Sequence, residues 1–98
     1  MVKSIEMIIR GKVQKVGFRA CIKKIASDLT ITGTVTNLSD GRVQVQATGD
    51  EMILEKFVSM VYSCPRAIIR NVRLTEIPIR IFLDFSVIKS DNQISTEL

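Results

Sequence analysis

Nine residues, Gly11-Lys12-Val13-Gln14-Lys15-Val16-Gly17-Phe18-Arg19, constrain this chain more than any other stretch. They follow an alternating apolar run, Ile5-Glu6-Met7-Ile8-Ile9, which reads as a half-buried strand. They lead into Phe18, Ile22, Ile25 and Leu29, whose spacing is helical. A strand, a glycine-bearing loop and a helix start with an arginine in its first turn make an anion site. Backbone N–H groups at a helix N-terminus lack intrahelical partners and sit at the positive end of the dipole. Gly17 permits a left-handed turn, so that successive N–H groups point into one concavity. Arg19 adds a planar fork of donors that matches two phosphate oxygens at once.

The remaining runs predict the architecture. The first strand spans about Lys3 to Arg10 and the first helix runs from Gly17 or Phe18 to Leu29. A second strand over Ile31–Leu38 turns at Ser39-Asp40-Gly41 into a third over Arg42–Thr48, giving a hairpin. Asp50 is the expected N-cap of a second helix reaching about Tyr62, with Ile53, Leu54, Phe57, Met60 and Val61 as its apolar stripe. Asn71–Ile77 reads as a strand, Pro78 interrupts it, and Ile79–Ile88 reads as a last strand through Ile81, Leu83, Phe85 and Val87. The order is βαββαβ plus an extra C-terminal strand. That predicts an α+β, ferredoxin-like sandwich with two helices on one face of an antiparallel sheet. Residues 90–98 are polar and unpatterned, so a domain of residues 1–89 with a C-terminal tail of 90–98 is expected.

Composition narrows the chemistry. With 98 residues the chain is one domain, and its net charge of +4 tilts the surface towards anions. No histidine is present, which removes imidazole bases, His triads and His-ligated zinc. Any chemistry must run on Arg, Lys, Asn, carboxylates and backbone amides. The longest apolar runs, such as Met7-Ile8-Ile9, are far too short to cross a bilayer, and the start Met1-Val2-Lys3-Ser4 has no apolar leader. Cys21 and Cys64 are too few for a secreted disulfide scaffold, so cytoplasmic residence is the default. Cys21 borders the first helix's stripe and reads as a small apolar filler. Cys64, before Pro65, reads as the more exposed thiol.

The stretch Gly11-x-Val13-Gln14-x-Val16-Gly17-Phe18-Arg19 resembles the first signature of the acylphosphatase family. Gly33-Thr34-Val35-Thr36-Asn37-Leu38-Ser39-Asp40-Gly41-Arg42-Val43 resembles its second. The resemblance extends to about Lys89 and implies the same fold. It implies hydrolysis of the carboxyl–phosphate bond of small acyl phosphates to a carboxylate and inorganic phosphate, with no metal and no cofactor. It implies that Lys15, Val16, Gly17, Phe18 and Arg19 bind the phosphate, with Arg19 clamping its oxygens, and that Asn37 orients the attacking water. Inorganic phosphate, the product, is then a competitive inhibitor. A monomer with no nucleic-acid or membrane partner is expected. Lys15 stands where the family's signature has glycine, and Cys64 where it has glycine before proline.

Two other readings remain at this point. An RNA-recognition module shares the element order but stacks bases on sheet aromatics, and Lys3–Arg10 and Arg42–Thr48 contain none. A catalytically weak acylphosphatase-like domain would bind a phosphorylated ligand or a protein partner instead, and Lys15 is the residue that points there.

Overall fold

The computed structural model describes residues 1–89. Its elements run β1 (Val2–Lys12), α1 (Phe18–Asp28), β2 (Thr32–Asn37), β3 (Val43–Asp50), α2 (Glu51–Val61), β4 (Ile68–Ile77) and β5 (Phe85–Ile88). The strands form one sheet in the order β4-β1-β3-β2-β5. The first four pair antiparallel as expected, but β5 lies parallel to β2, from Gly33 opposite Phe85 to Thr36 opposite Ile88. The sheet is therefore mixed. The expected tail over 90–98 lies outside the described residues.

Alternation decides which face is covered. Met7 and Ile9 of β1, Val43, Val45 and Ala47 of β3 and Val35 of β2 share one face and are fully buried. Phe18, Ile22, Ile25 and Ala26 of α1 and Leu54, Phe57 and Val61 of α2 close over it. Phe57 meets Phe85 with ring centroids 6.1 Å apart and tilted by 60°, which ties β5 into the same core. The helix ends are built from local chemistry. Asp50 caps α2 by accepting a hydrogen bond from Met52 N–H at 3.1 Å. At the end of α1, Thr30 turns left-handed, and Thr30 and Ile31 donate to the carbonyls of Ser27 and Ala26.

Two expectations need correction. Ile79–Ile88 is not one strand, because only Phe85–Ile88 pairs in the sheet. β4 and β5 occupy opposite edges, so the intervening residues must cross the open face rather than run along it. Ser4 and Thr48 hold that crossing: Arg80 N–H donates to Ser4 Oγ at 2.9 Å and Thr48 Oγ1 donates to Arg80 C=O at 2.8 Å. The period-2 pattern continues through Ile81 and Leu83, yet both are almost wholly exposed, at 85% and 99%.

The cysteines are the second correction. Cys64 is buried, and it is joined to Cys21 in a disulfide with Cα atoms 6.0 Å apart. Cys21 is therefore a cross-link rather than a filler. The bond ties the start of α1 to the turn that follows α2. It closes a sequence separation of 43 residues, for which loss of loop entropy in the unfolded chain gives roughly 4 kcal/mol. Reduction, or replacing both cysteines by serine, is expected to lower unfolding free energy by about 2–4 kcal/mol, read from urea midpoints with and without reductant. Coincident midpoints would show that the bond adds no stability.

Candidate active site

The site is assembled where β1 ends. The pairing of β1 with β4 slips between Arg10 and Gly11. Gly11 takes φ 140°, and a Cβ there would stand 2.0 Å from the Ile68 carbonyl oxygen, so only glycine lets the two strands approach. Val13, buried in the core, then anchors the loop from below.

Beyond it the backbone alternates in hand. Lys15 has φ 62° and Gly17 φ 77°, bracketing Val16. This is the loop form that turns successive N–H groups inward. A Cβ on Gly17 would touch nothing within 4 Å, so backbone conformation, not crowding, asks for glycine there. The first helical hydrogen bond runs from Cys21 N–H to Gly17 C=O at 3.1 Å, leaving Phe18, Arg19 and Ala20 with no intrahelical acceptor. Among the described residues, the N–H groups of Lys15, Val16 and Gly17 donate to no backbone carbonyl either.

Lys15, Gly17, Phe18 and Arg19 line a groove of about 490 Å³ that continues along α1. Val16 is half-buried against the core and Phe18 is buried within it, so both offer backbone rather than side chain. Arg19 is half-buried, and no carboxylate among the described residues pairs with it. Its guanidinium fork is thus uncommitted.

Asn37 does not line the groove, but the register brings it to the same end of the sheet. Val43 of β3 pairs with Ile9 of β1 on one side and with Asn37 of β2 on the other. Ile9 and Asn37 are therefore two strand spacings apart, about 10 Å. Asn37 Oδ1 is buried and accepts no hydrogen bond among the described residues. Its lone pairs are therefore left for water or a ligand.

One residue of this site was not singled out by sequence. Gln14 Nε2 donates to the carbonyls of Leu38 and Arg42, each at 2.9 Å. It ties the loop that precedes Arg19 to the turn that follows Asn37. Nothing local distinguishes it from other surface amides. Only its place inside the first signature singles it out. The turn is itself held tight, with Leu38 N–H on Arg42 C=O at 2.8 Å and Asp40 accepting from Arg42 Nε at 2.7 Å. The Arg42 hydrogen bonds keep the Asp40 carboxyl below the usual carboxylate range.

Known proteins are similar to this chain in sequence and in fold. The acylphosphatase family model matches residues 5–87. An acylphosphatase of Ligilactobacillus salivarius is 39% identical over 87 residues, covering 87% of this chain and 97% of the relative. The structure of an acylphosphatase from Coxiella burnetii superposes with a TM-score of 0.83 at 34% identity, covering 88% of this chain and 92% of that one. That of acylphosphatase from Bacillus subtilis gives 0.84 at 32% identity, covering 90% and 99%. A family model that spans residues 5–87 and relatives matched over nearly their whole length lead to one assignment: the chain belongs to the acylphosphatase family, enzymes that hydrolyse acyl phosphates.

Proposed function

We propose that this chain hydrolyses small acyl phosphates with Arg19 and the amides of Lys15–Arg19 holding the phosphoryl group and Asn37 holding the water. The observation that carries the reading is the unsatisfied, buried Asn37 Oδ1 at the sheet end where the unpartnered N–H groups gather. A carbonyl oxygen accepts from water O–H and orients it. An amide does not titrate in this range, so Asn37 positions the nucleophile and removes no proton.

The reaction suits such a site. Water oxygen bonds to phosphorus while the phosphorus–oxygen bond to the acyl group breaks and the carboxylate leaves with the electron pair. A carboxylate is a good leaving group and needs no acid to protonate it. The water proton passes to a phosphoryl oxygen of the substrate, which replaces a histidine base. Phosphoryl transfer asks chiefly for positioning and for charge stabilisation on the equatorial oxygens. The Arg19 guanidinium supplies that stabilisation through two parallel hydrogen bonds. Chelator should leave hydrolysis of acetyl phosphate intact, and inorganic phosphate should compete with substrate for the cradle. Activity abolished by chelator and restored by magnesium would overturn the metal-free mechanism.

We further place the reaction in the cytoplasm, carried out by a monomer. Glutathione and thioredoxin keep thiols reduced there, so the Cys21–Cys64 bond of the structure would form only on exposure to oxidant, and thiol trapping in fresh lysate that finds it already closed would overturn the cytoplasmic placement. The active site contains neither sulfur among its groove-lining residues.

The division of roles has a direct test. Arg19→Lys keeps the charge but loses the fork, so turnover should fall by about 10²-fold or more and phosphate inhibition should weaken with it. Asn37→Ala should lose turnover while the phosphate inhibition constant stays close to wild type. Equal losses of phosphate affinity in both variants would refute the separation.

Lys15 carries the second reading, because its φ of 62° is the left-handed conformation that glycine adopts freely. The lysine pays on the order of 1 kcal/mol for it, of which glycine's larger chain entropy would return a part. Its N–H remains available to the cradle, and its ammonium adds attraction for substrate and product alike. Lys15→Gly should therefore raise the melting temperature slightly, raise KM modestly and keep turnover within about tenfold. An inert wild type awakened by Lys15→Gly would instead favour a domain that binds a phosphorylated ligand.

A further inference from the structure

The groove is larger than a phosphate group requires, and its surplus has a definite chemistry. Its volume of about 490 Å³ is that of a site for a whole small molecule. Past Arg19 it follows the outer face of α1, where Lys23, Lys24 and Ser27 line it and Val87 of β5 contributes an apolar wall. With Lys15, four cationic side chains border it, and among the described residues no carboxylate does.

Those charges are not neutralised within the protein to the same degree. Lys24 pairs with Asp28 at 3.4 Å, four residues on, and Asp28 is the only acidic residue of α1. Lys23 is exposed and has no carboxylate within ion-pair distance among the described residues. It stands four residues after Arg19, the spacing at which like charges on a helix face each other and repel. Two unpaired cations are thus stacked along one wall of the groove. The second stands one helical turn, about 6 Å, beyond the first.

Resting on the acylphosphatase reading, we infer that the groove selects acyl phosphates whose acyl chain ends in a second anionic group. Arg19 takes the phosphoryl end and Lys23 the far end. Val87 packs against the short aliphatic spacer, and the about 6 Å offset together with the reach of the lysine arm suits the mono-acyl phosphate of a short dicarboxylic acid. A neutral acyl chain of the same length would fill the groove but leave Lys23 unmatched.

Stable phosphonates test this apart from catalysis. Binding of 5-phosphonopentanoate and pentylphosphonate, which differ by a terminal carboxylate in place of a methyl group, is measured by calorimetry on the full chain at low salt. The dianionic-ended ligand should bind severalfold tighter. Lys23→Gln should cut that ratio at least threefold, and Lys23→Glu should bring it to one or below. Lys56→Gln, on the exposed face of α2 and away from the groove, removes the same charge and should leave the ratio unchanged. A wild-type ratio near one, or equal losses in Lys23→Gln and Lys56→Gln, would overturn the inference, the latter by showing attraction to net charge alone. Acetyl phosphate hydrolysis is assayed in parallel. Its absence with the ratio preserved would count against the enzymatic reading while supporting the second anion site.

Discussion

β3 is the strand on which the site depends. β1 and β2 both run antiparallel to it, so both must end on the same side of the sheet. The loop after β1 supplies the cradle and Arg19; the last residue of β2 is Asn37. Two pieces of chemistry that lie 18 positions apart in sequence, Arg19 and Asn37, are thereby brought to one end of the molecule by hydrogen-bond register alone. Register is strongly specified here, because a slip of one residue in β3 would exchange Val43, Val45 and Ala47 for Gln44, Gln46 and Thr48 in the core. Burial of that one strand therefore fixes which side chain of β2 reaches the site. Gln14 then makes the placement finer, since its two hydrogen bonds stop the loop from moving independently of the hairpin.

The cradle is held against its own preferences. Lys15 is left-handed without being glycine, and among the described residues the N–H groups around it have no protein partner. The left-handed lysine costs free energy and would not persist in a loop free to relax, whereas the N–H groups of this exposed loop are open to water. The surroundings remove that freedom on three sides. Val13 is locked into the core before the loop, Phe18 after it, and Gln14 is bound across to the next hairpin. Such preorganisation is what electrostatic catalysis requires, because donors already in place do not reorganise when charge develops.

Much of this was legible in the sequence, and the reasons differ by residue. The strands through Met7–Ile9 and Val43–Ala47 and both helices were visible because each buries one regular face, and periodicity reports burial. The cap at Asp50 and the turn at Ser39–Gly41 were visible because their chemistry is local. The crossing through Arg80 was not. Its alternating apolar residues mimic a strand, and only the sheet order, with β4 and β5 at opposite edges, reveals that the chain has to traverse. The Cys21–Cys64 bond was invisible for a similar reason, being a meeting of the start of α1 with the end of α2 that no local pattern encodes. Gln14 belongs with these, as its partners lie 24 and 28 residues away.

The amides of this protein show why a site residue is recognised by what it lacks. On the open face, Glu6 Oε2 accepts from Gln44 Nε2 at 2.9 Å and from Gln46 Nε2 at 3.0 Å. Beside them Thr48 donates to Arg80 C=O, so the proton in its 2.5 Å contact with Ser4 comes from Ser4, whose oxygen in turn accepts from Arg80 N–H. Polar groups there satisfy one another, and the Arg80 segment crosses above them. At the other end, Asn37 Oδ1, the Arg19 fork and the loop N–H groups are all left open among the described residues. Gln44, Gln46 and Asn37 are alike in sequence, each a carboxamide on a strand. The difference is that the fold consumes the hydrogen-bonding capacity of the first two internally and, among the described residues, leaves the Oδ1 of the third open.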